Sequence, residues 1–174
     1  DAHLVEVEVD LSPGLPAFAT VGLPDAVVRE SRDRVKAAIS NTGFPFPLKR
    51  ITVNLAPADI KKEGSAFDLP IAVAILQAQG IVRGETSRRV ALLGELSLDG
   101  RIKGIRGALA IAMAAKEADL SGVLVPADNA REAAVVEGMA VYPAQTLPQV
   151  VGFLNGELAI EPLRVDIETL FQEE

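Results

Sequence analysis

Ser65, Glu63 and Asp68 stand together in Lys61-Lys62-Glu63-Gly64-Ser65-Ala66-Phe67-Asp68, and Glu95 sits inside the apolar run LLGEL. A serine hydroxyl becomes a nucleophile only when a neighbouring base takes its proton, and the amines at hand are Lys61 and Lys62. Glu63, Asp68 and Glu95 are the carboxylates available for general acid and base work. Each residue also has a plainer role. Asp68 at the start of a helix complements the helix dipole or caps it, and Ser65 just before it also reads as a cap. Glu95 in an apolar strand needs a backbone or arginine partner, because a buried lone charge is costly.

Other chemistry is sparse. The one histidine, His3, lies beside the chain end and there is no cysteine, so histidine triads, thiolate zinc sites and disulfides are excluded. No Walker-type phosphate loop occurs. Gly104-Ile105-Arg106-Gly107 resembles a glycine phosphate loop only superficially; it follows a hairpin strand, and a helix cap is the better account.

The charge is polarised. The net charge is −7, yet Arg29 to Lys62 holds eight basic residues against three acidic ones, and Glu157 onward holds six acidic residues and only Arg164. The basic run makes Arg32, Lys36, Lys49, Arg50, Lys61 and Lys62 candidates for phosphate contact through counterion release. It equally describes a solvated helix face with ion pairs such as Glu30–Arg34 at i, i+4.

The elements that must position these residues follow from periodicity. Val5, Val7 and Val9 alternate with Glu6, Glu8 and Asp10 as a strand with one wet face. Ser12-Pro13-Gly14 turns the chain into a second strand, Ala17 to Val21. Pro24 and Asp25 open a helix that Asn41-Thr42-Gly43 ends. Arg50 to Leu55 is a β-branched strand and Asp68 to Gln79 a buried helix. Val90 to Leu98 and Arg101 to Ile102 flank Asp99-Gly100 as a two-residue hairpin. Helices over Ala108 to Ala118, Asn129 to Glu137 and Leu147 to Leu154 alternate with strands over Gly122 to Val125 and Met139 to Tyr142. The core must be aliphatic, since 49% of residues are hydrophobic and only 4% aromatic. No apolar run reaches the ~20 residues that cross a bilayer, and no signal peptide is visible; the lack of cysteine suits a reducing cytoplasm.

Gly22 to Leu76 and Leu92 to Asn129, including GLPDAVVRESRDRVKAAISNTGFPFPLKRITVNLAPADI and LLGELSLDGRIKGIRGALAIAMAAKEADLSGVLVPADN, resemble the N-terminal domain of the ComM/YifB proteins. These are bacterial AAA+ ATPases named for similarity to the ChlI subunit of magnesium chelatase. More distantly the chain is similar to the proteolytic domain of Lon and the C-terminal domain of RadA. The resemblance implies an α/β fold, a two-layer α/β sandwich of the ribosomal-protein-five domain-two-like class. It implies a domain over residues 1–156 and an acidic linker over 157–174 leading to an ATPase module that carries the ATP and Mg. It also implies a homo-hexamer, branched or single-stranded DNA as partner, and no membrane. Laying the Lon Ser-Lys dyad on this chain puts the serine position at Ala66 and the lysine position at Leu109; a one-residue shift restores Ser65, but the neighbours of Leu109 are apolar too. The expected role is therefore a non-catalytic accessory domain with no cofactor or metal of its own. The alternatives are a Lon-type peptidase using Ser65, or a component resembling magnesium chelatase.

Overall fold

A computed structural model describes residues 4–23, 25–56, 64–84 and 89–163. Lys61, Lys62, Glu63 and His3 lie outside the described residues.

The fold is mixed α/β, built on three small sheets. The first contains β1 (Glu6–Ser12), β2 (Ala17–Val21) and β3 (Arg50–Ala56) in the order β1-β3-β2. The turn at Ser12-Pro13-Gly14 therefore does not close a hairpin. β3 runs between the two strands, antiparallel to β1 and parallel to β2, because α1 (Asp25–Asn41) carries the chain across to a parallel return. Val7, Val9 and Leu11 on β1 and Ile51, Val53 and Leu55 on β3 face the main core; Glu6, Glu8 and Asp10 face outward. The two-residue period thus gives the predicted wet face.

The second sheet is parallel, with β7 (Gly122–Pro126) between β4 (Val90–Leu92) and β8 (Ala140–Ala144). β7 is buried throughout, as a central parallel strand covered on both faces should be. Its Leu124 joins the core under α2 (Asp68–Ala78) and α5 (Leu147–Leu154). Its Val123 and Val125 join a second core under α3 (Ala108–Glu117) and the short α4 (Ala130–Ala133). Alanines make the α3 contact: Ala108, Ala112 and Ala115 are fully buried on one helical face.

The single strand expected over Val90 to Leu98 is broken in two. β4 ends at Leu92, and β5 (Glu95–Leu96) turns away to pair with β6 (Ile102–Lys103). The break is made by Gly94, whose N–H donates to the Ala66 carbonyl at 3.0 Å and whose carbonyl accepts from Leu69 N–H at 3.0 Å. A Cβ there would stand 2.7 Å from Ile102 Cγ2, so glycine lets β6 pack this closely against the break. The hairpin at Asp99-Gly100 exists but closes through a longer loop, with Ser97 N–H bonded to Arg101 O and Gly100 N–H to Ser97 O. The predicted helix over Asn129 to Glu137 shrinks to a 3-10 turn over Ala127–Asn129 and the single turn of α4.

Within the expected linker, Ile160 is buried and Leu163 N–H donates to Val141 O at 2.7 Å. Residues 164–174 lie outside the described residues.

Candidate functional site

Asp68 is the one fully buried carboxylate among the described residues. It is the first residue of α2, after a 3-10 turn over Gly64–Phe67. Its side chain does not cap that helix. Oδ2 accepts from Arg34 Nε at 2.6 Å and from Leu96 N–H at 3.1 Å, and Oδ1 accepts from Ser31 Oγ at 2.9 Å and Arg34 Nη2 at 3.2 Å. The carboxylate therefore clamps α1 and β5 onto the start of α2. The helix dipole still favours a negative charge at this position. Burial pushes the Asp68 carboxyl up from its ordinary range, while Arg34, Leu96 N–H and Ser31 pull it down. The bond to Asp68 pushes the Arg34 guanidinium up, aided by Glu95 and Glu30 nearby, so it stays charged.

All four lone-pair directions of Asp68 are occupied, so it is a structural centre rather than a free acid or base. Sequence reasoning placed Arg34 on the helix surface with Glu30, and the 3.8 Å contact to Glu30 is present. The shorter bond is to Asp68, 34 residues away. Glu95 is half-buried rather than buried and faces Lys103 across the hairpin.

Ser65 and Ala66 lie in the 3-10 turn, both half-buried, and the Ala66 carbonyl holds Gly94. Leu109 occupies the first turn of α3 and is 38% exposed, one helical turn before Met113 at 52%. Neither Ala66 nor Leu109 has a side-chain group that can move a proton. The Gly104–Gly107 loop is already occupied. Asn129, which the sequence reading missed, accepts from Ile105 N–H at 2.8 Å and donates to Ile105 O at 2.7 Å. Gly107 takes φ +85° at the N-terminal boundary of α3, so it serves as a helix boundary as expected. Among the described residues no cluster of His, Cys, Asp or Glu is arranged to hold a metal ion, and no helix is long and apolar enough to cross a membrane.

The basic candidates separate into two groups. Arg32 and Lys36 lie on α1, with Arg32 against Asp33 at 3.4 Å and the Lys36 ammonium 5.8 Å from the Phe46 ring centre. Lys49 and Arg50 lead into β3 beside the start of β2, where Ala17 N–H donates to Lys49 O at 3.4 Å. Both are exposed.

The site is thus a mixed α/β domain held together at a saturated Asp–Arg centre. The family model described as "Subunit ChlI of Mg-chelatase" matches residues 7–129, and the chain belongs to this family as a ChlI-like domain of the ComM/YifB type. It is 44% identical over 166 residues to the competence protein ComM of Haemophilus influenzae, covering 95% of this chain and 32% of that protein. It is 45% identical over 160 residues to an uncharacterized protein of Mycobacterium tuberculosis, covering 92% of this chain and 32% of the relative. It is also 26% identical over 159 residues to Lon protease 1 of Bacillus subtilis, covering 84% of this chain and 20% of that protein. The chain thus spans about a third of the length of its ComM-type relatives.

Proposed function

We propose that this chain is a non-catalytic accessory domain of a ComM-like AAA+ ATPase that drives DNA branch migration in transformation and recombination. The observation that carries this reading is the pair of side chains at the Lon dyad positions: a methyl at Ala66 and an isobutyl at Leu109. A serine without a proton acceptor is a poor nucleophile, and an aliphatic side chain accepts no proton. The exposed pair Leu109 and Met113 on α3 supplies an apolar strip for contact with the ATPase module or a neighbouring subunit of a hexamer. ATP and Mg belong to that module in this reading, and the whole protein works in the cytoplasm.

DNA contact is assigned to Arg32, Lys36, Lys49 and Arg50, with Lys61 and Lys62 completing the set. Cations release counterions from phosphate, so binding must weaken as salt rises. The test is binding of single-stranded and forked DNA at two salt concentrations by the chain and its Arg50→Glu/Lys61→Glu variant. Salt-dependent binding that the variant loses supports the DNA role, and no salt-dependent binding removes it. Labelling by a serine-reactive probe that disappears in Ser65→Ala would instead restore the peptidase alternative.

A further inference from the structure

Asparagine followed by glycine occurs once in the sequence, at Asn155-Gly156; Asn41, Asn54 and Asn129 precede Thr, Leu and Ala. Asparagine is a thermolabile residue, and most so before glycine, which has no side chain to obstruct attack of its backbone nitrogen on the asparagine side-chain carbon. The fold puts this pair at a seam. Asn155 ends α5, and its side chain reaches across to the turn that follows α2. Its Oδ1 accepts from Arg83 N–H at 2.8 Å and its Nδ2 donates to Ile81 O at 2.9 Å. Val82 from the turn and Leu154 from α5 are both buried in the main core. Arg83 Nη2 meets Glu157 Oε1 at 3.3 Å, and a Cβ on Gly84 would collide with the Leu154 carbonyl oxygen.

Both halves of the reactive pair are therefore occupied. The Asn155 amide can turn onto the Gly156 nitrogen only by giving up its two bonds to the turn. That nitrogen carries a proton donated to Phe153 O at 3.1 Å, and it must lose the proton before it can attack. Water is not the obstacle, because Gly156 is exposed, with φ +74°. The seam sets the rate.

We infer that Asn155-Gly156 is a deamidation site gated by the turn over residues 81–84, and that its product unfastens this turn from α5. When the seam opens, hydroxide removes the Gly156 amide proton and the nitrogen attacks Asn155 Cγ. The new N–Cγ bond closes a succinimide ring, and the Cγ–Nδ2 bond breaks as ammonia leaves with a proton from water. Water then opens the ring at one of its two carbonyls, leaving aspartate or isoaspartate at position 155. Neither product repeats the native contacts. The donor to Ile81 O is gone, and a carboxylate faces that carbonyl beside Glu157, at the helix end where the dipole disfavours negative charge. Isoaspartate also lengthens the backbone of the turn in which Glu157 N–H donates to Gly152 O at 2.8 Å.

The experiment is timed incubation of this chain at neutral and mildly alkaline pH, with peptide mapping by mass spectrometry and isoaspartyl methyltransferase labelling. The proteins compared are wild type and Gly84→Ala, which pushes the turn away from Leu154. Gly84→Ala is expected to convert Asn155 about tenfold faster, the effect of weakening two bonds on the open population. Conversion rises with pH, and Asn41, Asn54 and Asn129 stay intact. If folded Gly84→Ala converts Asn155 no faster than wild type, the gate is overturned. Should that variant fail to fold, a urea series on wild type decides instead. Conversion that rises before global unfolding supports the gate, and conversion that begins only with global unfolding overturns it. No conversion at Asn155 even in the unfolded chain overturns the site itself. For the product, Asn155→Asp is expected to speed amide exchange at Val82 and Arg83 about tenfold without loosening α3. Unchanged exchange there overturns the unfastening.

Discussion

Arg34 and Arg50 come from the same basic run, yet the fold treats them in opposite ways. Arg34 turns inward from α1 and is fixed by two bonds to Asp68, a carboxylate that is also bound by Ser31 and the Leu96 N–H. Arg50 stands exposed at the start of β3 next to Lys49. The first guanidinium is committed to structure and has little left to offer a ligand. The second has no carboxylate within ion-pair distance among the described residues. A count of basic residues along the chain treats the two alike; only the partner across the fold separates them.

The strongest way to test this contrast is to remove the inner acceptor. Asp68→Ala leaves the Arg34 guanidinium, the Ser31 hydroxyl and the Leu96 N–H without their common partner. Breaking a buried pair from one side is expected to lower stability by about 3 kcal/mol, toward the lower end of the range because Arg34 retains some exposure to water. Urea unfolding reads this as a lower midpoint at an unchanged slope. An unchanged midpoint would show that the centre does not hold the fold.

Matched arginine substitutions sharpen the comparison next. Arg34→Gln is expected to cost about 2 kcal/mol, the scale of losing charge-assisted bonds to a buried carboxylate. Arg50→Gln should stay within about 0.5 kcal/mol of wild type, as surface changes usually do. Equal losses in the two variants would erase the distinction between structural and free arginine. A smaller cost, about 1–2 kcal/mol, is expected for Asn129→Ala, which strands the N–H and carbonyl of Ile105 where water can partly replace the lost bonds. Hydrogen exchange at Ile105 is the direct readout, and faster exchange there without global loosening is the expected pattern.

Much of the frame was legible in the residues because it depends on local period and punctuation. The alternation over Val5 to Asp10, the strand Ala17 to Val21 and the helix Leu147 to Leu154 all appear where they were read. What escaped was long-range. Nothing near Ser12 says that β3 will enter between β1 and β2. The run Val90 to Leu98 is apolar on both sides of Gly94, and the reason for its break is the arrival of Ala66 and Leu69 from another segment. Asp68 looked like a helix-start charge, and its real partners are 28 to 37 residues away. Asn129 could have been suspected only as a polar residue between two apolar segments. The resemblance to Lon-like domains pointed to Ala66 and Leu109, but no local signal marked the reach of Asn155 to Ile81 and Arg83; asparagine before glycine reads equally well as a plain helix stop.

The finest test lies in the hairpin, where an exposed carboxylate does locally what Asp68 does across the fold. Asp99 accepts from the Arg101 N–H at 3.1 Å and from Arg101 Nε at 2.9 Å. Chiefly through that backbone bond, its carboxyl is held below its ordinary value. A depressed folded-state value means that the ionised form favours the native hairpin. The contribution is complete above the unfolded value near 3.8 and is lost as pH falls through the lower folded value. Asp99→Ala should therefore melt slightly below wild type at neutral pH, with the gap closing as the solution is acidified below that point. Both partners lie in solvent, so the effect is the smallest of the set and shrinks in high salt. A gap that widens on acidification would mean that the turn is held by something other than this carboxylate.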